Sequence, residues 1–427
     1  MSEWKEISNG CEFVSGYAFK GSDFNDDYKG VPVIKIKNIQ NDFVTLGASQ
    51  YIEDDILKRN YKSVEKFYVQ DNEILISMTG AGSVGRVGLT SIDNLALLNQ
   101  RVGKFVPDEK NLNKEYLYHI LTSEYFQRLL FNKGQGSGQP NLSPDEILEV
   151  EIPWPSYEEQ VVIGSALHNL NRKITLLRQQ NQTLEELAQA LFKRWFVEFE
   201  FPDENGRPYK SSGGKMVESE LGEIPEGWRI KTINDLNLYI TDLVANGSFA
   251  TIKENVETKD EVDYALFVRN TDLKNEFINK VFVPEHSYNF LKKTRLYGGE
   301  IILANVGDVG TAHMCPYFDI PMTLGNNCIM VRSKVFQNWL YTFFRSRSGF
   351  HSLKSAVVGS VQEKLSKTNF KNIELVVPDN NTLKSFESYA GKIYIKIFSN
   401  KKEIQTLTQL RDTLLPKLMS GEVRVKV

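Results

Sequence analysis

The chain has 427 residues and a formal net charge of -3, with 41% hydrophobic and 25% charged residues. This length exceeds what one hydrophobic core usually supports, so we expect at least two domains. The near-neutral charge excludes a protein that binds polyanions over its whole surface. Apolar runs fall short of the roughly 20 residues of a membrane helix, and three scattered cysteines predict neither disulfides nor a metal site. We therefore expect a cytoplasmic protein without membrane contact.

The first segment, residues 1–155, alternates short β-rich runs with Gly and Asn turns. The patterns predict strands at Val31–Ile36, Glu73–Ser77 and Arg101–Val106. One helix is predicted at Lys114–Leu130. This segment is expected to form a compact, mixed β-rich globule.

The second segment, residues 156–202, predicts a long helix that begins near Tyr157, after two prolines. Its apolar residues recur in alternating steps of four and three, which is the heptad seam of a coiled coil. The seam consists of Ile163, Leu167, Leu170, Ile174, Leu177, Asn181, Leu184, Ala188, Leu191 and Trp195. A helix of about 40 residues would be roughly 60 Å long.

The second half repeats this order. A polar, Gly-rich connector (203–222) precedes a second β-rich globule (223–378), and residues 379–427 hold a second helical seam and a C-terminal tail. The second seam consists of Leu383, Phe386, Ala390, Ile393, Ile397, Asn400, Ile404, Leu407, Arg411, Leu414 and Leu418. Pro416 is expected to end or kink this helix near its last turn.

The two halves are diverged copies of one another. A shift of 223 residues brings Gln182-Thr183-Leu184 onto Gln405-Thr406-Leu407 and Leu187 onto Leu410. At slightly larger shifts Trp4 matches Trp228, and Glu73–Ile76 matches Glu300–Leu303. We therefore predict an α+β fold in which two mixed β-rich globular domains are separated by two long helices. These helices form an antiparallel coiled coil with an internal pseudo-twofold repeat.

The seams also predict a register, in which residue numbers facing each other sum to 581. Asn181 then faces Asn400, so that two buried amides can satisfy each other. The alternative is that each Asn faces water where the seam is partly open. The predicted coiled-coil interface comprises Leu170, Ile174, Leu177, Asn181, Leu184, Ile393, Ile397, Asn400, Ile404 and Leu407.

Catalytic motifs are missing from the sequence. It contains neither the D/N-P-P-[YF] loop of amino methyltransferases nor the lysine-bearing phosphate loop of nucleotide hydrolases. The five histidines stand singly, and the glycine runs at Gly80–Gly88 and Gly307–Gly310 are best explained as turns. We therefore predict a protein that is not an enzyme and holds no cofactor of its own.

Basic residues at matched places predict DNA contacts. In each globule a β run ends in basic residues followed by Asn, which are side chains suited to base edges: Lys35, Lys37 and Asn38 in the first, and Arg269 and Asn270 in the second. Two further clusters, each beside a tyrosine, suit phosphates: Arg59, Lys62 and Lys66, and Lys292, Lys293 and Arg295. The alternative for each cluster is a solvated charged face.

A third matched pair of segments, Gly134–Ser143 and Gly359–Ser366, allows two interpretations. Lysines in and beside these loops would reach the DNA backbone, or each loop is a simple helix entry capped by Ser143 or Ser366.

The whole chain resembles the specificity subunits of type I restriction-modification enzymes. The resemblance rests on the order of globules and helices and on four segments: Leu191–Pro202, Leu221–Trp228, Gly136–Ser143 and Leu414–Glu422. It implies that each globule is a target recognition domain reading one half of a bipartite, asymmetric site in double-stranded DNA. It also implies that the helices dock two methyltransferase subunits, that restriction/translocase subunits join them, and that adenine methylation or cleavage follows. S-adenosylmethionine, ATP and Mg would then belong to the partner subunits.

Two other classes of function remain open at this point. A coiled-coil scaffold that holds two protein ligands would use the same helices without binding DNA. A self-contained enzyme would need catalytic motifs that the sequence does not contain.

Overall fold

The computed structural model describes residues 3–47, 49–135, 139–277, 279–358 and 363–425. The chain forms two compact units: unit 1 comprises Met1–Leu176 and Glu403–Val427, and unit 2 comprises Leu177–Lys402. The strands that precede the first long helix are β1 Glu3–Glu6, β2 Cys11–Ser15, β3 Val31–Ile34, β4 Asp42–Phe43, β5 Gln50–Ile52, β6 Tyr68–Val69, β7 Ile74–Ser77, β8 Val87–Leu89, β9 Ala96–Leu98, β10 Val102–Pro107 and β11 Glu151–Trp154. The helices of this part are α1 Asp54–Asn60, α2 Lys114–Thr122, α3 Glu124–Lys133, α4 Pro144–Leu148 and α5 Tyr157–Phe196.

The later elements follow the same plan. The strands are β12 Met216–Val217, β13 Ile224–Pro225, β14 Arg229–Thr232, β15 Tyr239–Asp242, β16 Ala265–Val268, β17 Phe282–Val283, β18 Arg295–Leu296, β19 Ile301–Ala304, β20 Ala312–Met314, β21 Met322–Leu324, β22 Cys328–Arg332 and β23 Glu374–Val377. The helices are α6 Phe249–Asn255, α7 Asn270–Lys274, α8 Glu285–Phe290, α9 Gln337–Arg345, α10 Arg347–Ser355, α11 Lys367–Lys371 and α12 Asn380–Ser420.

Unit 1 contains three sheets, with strand orders β2-β10-β7-β8-β4, β5-β3-β9-β6 and β1-β11. Most pairs are antiparallel, whereas two are parallel: β3 with β9, where Ile34 lies opposite Leu98, and the short edge strand β4 with β8. All four residues of β7 are buried, because elements cover both faces of this central strand. One core packs α2 and α3 on the five-stranded sheet, and it includes Leu167 of α5 and Leu415 of α12.

Unit 2 repeats this topology, except that its larger sheet has four described strands and no counterpart of β4. Its main sheets have the orders β15-β22-β19-β20, β17-β16-β21-β18 and β14-β23. The counterpart of the parallel pair β3 and β9 is β16 with β21, and Val268 lies opposite Leu324. The connector adds the two-stranded sheet β12-β13. The internal repeat predicted from the sequence is therefore confirmed in the sheet topology.

Most predicted strands are present, but two predictions need correction. The predicted strand Val31–Ile36 ends at Ile34 and continues as a 3₁₀ turn at Ile36–Asn38. The predicted helix Lys114–Leu130 is two helices, α2 and α3, because Ser123 adopts an extended conformation (φ -65°, ψ 150°). The Ser123 hydroxyl donates to Ile120 O and accepts from Phe126 N, so it supports the end of one helix and the start of the next.

The two predicted long helices are confirmed, with 40 residues in α5 and 41 in α12. Of the two expectations for Pro416, that it ends the second helix is wrong, because α12 continues to Ser420, and that it kinks the helix stays a prediction. Proline removes the N–H that would bond to the carbonyl four residues earlier, and its ring crowds that carbonyl, but only about one turn of helix follows Pro416.

Candidate nucleic-acid and partner interfaces

In unit 2 the seam is built around a pair of asparagines. Asn400 Nδ2 donates to Asn181 Oδ1 and to Gln180 Oε1, both at 2.8 Å, and both asparagines are buried. Phe386 near the start of α12 contacts Trp195 near the end of α5, with ring centroids 5.9 Å apart. The helices are therefore antiparallel within unit 2, and the predicted contact between Asn181 and Asn400 is present.

In unit 1 polar contacts flank the seam. Lys173 lies 3.3 Å from Glu403, and Arg411 Nη1 donates to Asn171 Oδ1 at 2.9 Å. The helices are antiparallel here as well. Of the predicted interface residues, Ile174, Leu177, Asn181, Ile397, Asn400 and Ile404 are buried, and Leu170, Leu184, Ile393 and Leu407 are half-buried.

Outside the seam, both units expose the same side chains at matched helical positions. Leu187 of α5 is 53% exposed, and its counterpart Leu410 of α12 is 44% exposed. Four polar residues beside them, Gln182, Thr183, Gln405 and Thr406, are exposed as well. Each unit therefore presents the same apolar side chain and the same two polar side chains at equivalent positions of its helix.

In the first globule, two predicted DNA contacts are used within the fold. Asn38 has no exposed surface, and its amide donates to Thr45 O and Ser49 Oγ and accepts from Lys35 N. The expectation that Asn38 contacts a base is therefore corrected, because its polar atoms already hold the loop after β3. The Lys35 ammonium donates to Gln50 Oε1 and lies 3.7 Å from the centre of the Phe24 ring, and partial burial lowers its pKa. Lys37 is exposed.

In the second globule, Arg269 holds a matching loop. Its guanidinium forms two bonds to the Asp272 carboxylate, at 2.9 and 2.6 Å, and a third to Asn279 O. Asp272 is buried and also accepts from Arg269 N. The side-chain hydrogen bond to this carboxylate raises the pKa of the already basic guanidinium. Arg269 therefore stabilises this loop, and its guanidinium could contact a base only if these hydrogen bonds were broken. Asn270 is half-buried, and its Oδ1 lacks a hydrogen-bond partner among the described residues.

The first proposed phosphate cluster is largely free of competing contacts. Arg59, Lys62 and Lys66 are exposed and form no ion pair among the described residues. The neighbouring Tyr61 does not belong to the cluster, since it is buried and its hydroxyl donates to Asp23 Oδ2.

The second cluster is more strongly engaged. Lys292 is exposed, but the Lys293 ammonium donates to Ala245 O at 2.8 Å. Arg295 stacks 4.5 Å from the centre of the Tyr288 ring and donates to Asn289 Oδ1. In the repeat, Lys66 corresponds to Lys293, and α1 corresponds to α8, since each follows the strand paired with the first parallel strand. Arg59 lies in the last turn of α1 and Lys62 follows that helix, whereas the last turn of α8 holds no basic residue. The two clusters are therefore only partly equivalent.

The third pair of loops falls partly outside the described residues, at 136–138 and 359–362. At their ends, Ser143 Oγ accepts from Glu146 N and Ser366 Oγ accepts from Asn369 N. Both serines therefore cap short helices, as the helix-entry interpretation predicts. Lys133 lies 3.8 Å from Glu149, so its charge is already partly balanced.

In both units, a glutamate next to a central strand forms an ion pair with a basic residue, which also donates to a backbone carbonyl. Lys104 Nζ lies 3.1 Å from Glu73 and donates to Tyr68 O, while Arg332 Nη2 lies 2.8 Å from Glu300 and donates to Arg295 O. The glutamate is equivalent in the two copies, but its basic partner is not: by strand register Lys104 lies opposite Leu75, whereas Met330 lies opposite the equivalent Ile302, so Arg332 is two residues further along its strand.

Sequence reasoning missed a pair of matched turns. Residues 99–101 join β9 to β10, and residues 325–327 join β21 to β22. Four polar side chains in these turns, Gln100, Arg101, Asn326 and Asn327, are exposed. A shift of 226 rather than 223 residues would have aligned them, because the loops of the two globules differ in length.

In the described ranges, no group of three or more His, Cys, Asp or Glu residues is placed to hold a metal ion. Likewise, no described helix is long and apolar enough to cross a bilayer.

Two stretches of the chain, residues 1–186 and 225–414, match the model of the type I restriction modification DNA specificity domain. The chain belongs to this family. It is 28% identical over 360 residues to the MjaIX specificity subunit of Methanocaldococcus jannaschii, covering 82% of this chain and 78% of that protein. It is 25% identical over 492 residues to the HindI specificity subunit of Haemophilus influenzae, covering 99% and 100%.

The fold is shared with a solved specificity subunit. The S subunit of a type I restriction-modification system from M. genitalium aligns with a TM-score of 0.61 and 16% identity, over 98% of this chain and 96% of that one. The resemblance drawn from the sequence is thereby confirmed, and each family match covers one copy of the repeat. This type I specificity subunit therefore carries two DNA specificity domains.

Proposed function

We propose that this subunit directs a type I restriction-modification complex to a bipartite, asymmetric site in double-stranded DNA. Each β-rich domain reads one half of the site, and partner subunits then methylate adenines within it or cleave the DNA. The observation that carries the proposal is two DNA specificity domains that share most of their sheet topology but expose different basic residues, such as Arg59 and Lys62 in the first domain and Lys292 in the second. The residue that follows the first parallel strand also differs, since it is Lys35 after β3 and Arg269 after β16.

The helices dock two copies of one partner, a methyltransferase subunit. Support comes from the exposed residues that are identical in both copies, Leu187 with Leu410 and the neighbouring Gln and Thr residues. Two equal surfaces fit two equal partners. Restriction/translocase subunits join this core, and S-adenosylmethionine, ATP and Mg are bound by those partners.

Stoichiometry tests the docking. Leu187→Asp and Leu410→Asp each place a charge where an apolar partner surface would pack, and each should leave one methyltransferase subunit bound instead of two, as seen by native mass spectrometry. The double variant should bind none. Leu176→Asp is the matched control, because this leucine is 59% exposed on the same helix and is replaced by Ser399 in the other copy. Two subunits bound to the double variant would contradict the assignment.

DNA recognition is tested by mapping methylated adenines in host DNA with and without this gene. We expect methylation at one two-part sequence with unlike halves, present only with the gene. A palindromic site, or unchanged methylation, would contradict the proposed function.

A further inference from the structure

The turns at residues 99–101 and 325–327 are held in place by the same backbone bonds in both units. Asn99 N donates to Ile34 O at 3.1 Å, and the equivalent Gly325 N donates to Val268 O at 2.7 Å. On the other side, Met78 N donates to Arg101 O, and Asn305 N donates to Asn327 O, each at 3.0 Å. Each turn is therefore fixed between two strand ends, and its backbone is rigid.

A third segment meets the same place. Leu142 N donates to Met78 O at 2.8 Å, and Leu365 N donates to Asn305 O at 3.0 Å. The turn also lies directly beside the basic residue that follows the parallel strand, because a Cβ added to Gly325 would come within 2.9 Å of Arg269 Cγ. The fold therefore brings three polar segments together around each turn.

The side chains of the turns are free, although their backbones are fixed. Gln100, Arg101, Asn326 and Asn327 are exposed, and none forms a side-chain hydrogen bond or ion pair among the described residues. Beneath the unit 2 turn, the buried atoms Asn270 Oδ1 and Asn305 Oδ1 also lack partners in the described part of the chain. Folded proteins rarely leave such groups unsatisfied without a ligand or ordered water nearby.

The chemistry of these side chains suits base edges. Arg forms paired hydrogen bonds with guanine, and Gln and Asn form them with adenine in the major groove. The turns are equivalent in the backbone but different in sequence, Gln100-Arg101 in one and Asn326-Asn327 in the other. Two domains that recognise different base sequences need the same backbone turn with different side chains, and these turns have that property.

We propose that the β9–β10 and β21–β22 turns are the base-reading elements of the two domains. Gln100 and Arg101 read one half-site, and Asn326 and Asn327 read the other. This inference rests on the proposed function, since it assigns residues to the same DNA recognition.

The test uses the full complex of this subunit with its methyltransferase subunits and a duplex library randomised at both half-sites. The first variant is Gln100→Ala with Arg101→Ala. The second is Asn326→Ala with Asn327→Gly, because Asn327 has a φ of 59° and glycine keeps this left-handed conformation without strain. Gln70→Ala and Asn234→Ala, at exposed positions elsewhere in the two domains, are the controls. Thermal unfolding of each variant must match that of the wild type.

Each turn variant should lose about tenfold to a hundredfold of its discrimination at one half-site and keep it at the other. The control variants should keep both. Turn variants that keep both half-sites, or lose both together, would overturn the assignment of the turns. A wild-type complex without a two-part preference would instead contradict the proposed function, so the two failures are distinguishable.

Discussion

Arg269 shows how a basic residue at the end of a strand can serve the fold rather than the DNA. Its guanidinium bonds to the buried carboxylate of Asp272 and to Asn279 O, and it lies beside the β21–β22 turn. Sequence alone indicates a basic side chain after a strand, but not the acidic residue three positions later as its partner. Asn38 takes the place of Asp272 in the other domain, so the same correction applies to both copies.

Arg269→Ala is therefore expected to destabilise its domain. It leaves the Asp272 carboxylate with only one of its bonds, which should lower the free energy of unfolding by about 1–3 kcal/mol. Urea unfolding followed by circular dichroism measures this. Lys292→Ala is the matched control, since Lys292 is exposed and forms no ion pair among the described residues. An Arg269→Ala protein that is as stable as the wild type but loses DNA affinity would restore the direct-contact interpretation.

His119 predicts a pH dependence of stability. Burial, with smaller contributions from the nearby His168 and Arg411, lowers its pKa from 6.5 to about 3. Between pH 6.5 and pH 3, His119 binds a proton in the unfolded chain but not in the folded chain. The free energy of unfolding is therefore highest above pH 6.5 and decreases as the pH falls. Between pH 7.5 and pH 5, protonation of this histidine in the unfolded chain should lower the free energy of unfolding by about 2 kcal/mol.

Urea unfolding at the two pH values measures the effect, and His119→Phe should reduce the difference by about that amount. His351→Phe is the control, because His351 is exposed. An unchanged difference in the His119→Phe protein would mean that other groups dominate the acid sensitivity.

At the scale of elements, the helices were easier to predict than the sheets. A heptad seam is defined by the spacing of nearby residues, and the residues from Ile163 to Trp195 form one regular pattern. The length of the helix and the antiparallel register could therefore be predicted from the sequence. Sheet order depends on partners far apart in the chain, such as Ile34 and Leu98, and no local pattern reveals this. Ser123 breaks a helix that apolar spacing continues through, because its hydroxyl caps both sides.

The asparagine pair in the seam should behave as a coupled unit. Asn400→Leu leaves Asn181 Oδ1 without its donor in a buried site, and this should cost about 1–3 kcal/mol. The double variant Asn181→Leu with Asn400→Leu should recover much of the loss, because both polar groups are gone. A double-mutant cycle by urea unfolding measures the coupling, with the exposed Gln182→Leu as control. Additive effects would show that the bond contributes nothing specific.

At the scale of the molecule, the repeat extends to single hydrogen bonds. Asn99 N and the equivalent Gly325 N each donate to the last residue of the parallel strand, Ile34 O and Val268 O. The equivalent glutamates Glu73 and Glu300 each pair with a basic residue, although from different strand positions. The sequence indicated the repeat through short identities, but the matched turns escaped it because the required shift changes along the chain. The backbone bonds that hold the two turns are the same in both copies, whereas the exposed side chains of the turns differ. This is expected of two domains that share a fold and recognise different DNA sequences.

The division of the chain predicts where a distant substitution acts. Leu415 lies near the C-terminus but is buried in the core of unit 1, with residues of α2 and α3. Leu415→Ala should cost about 2–5 kcal/mol in that core, and it should speed amide hydrogen exchange in α2 and α3 while α9 and α10 of unit 2 keep their protection. Leu410→Ala, on the same helix but 44% exposed, should change neither. Equal loss of protection in both units would mean that they unfold together, whereas loss confined to unit 1 would show that residues 3–176 need the returning end of α12 to complete their core.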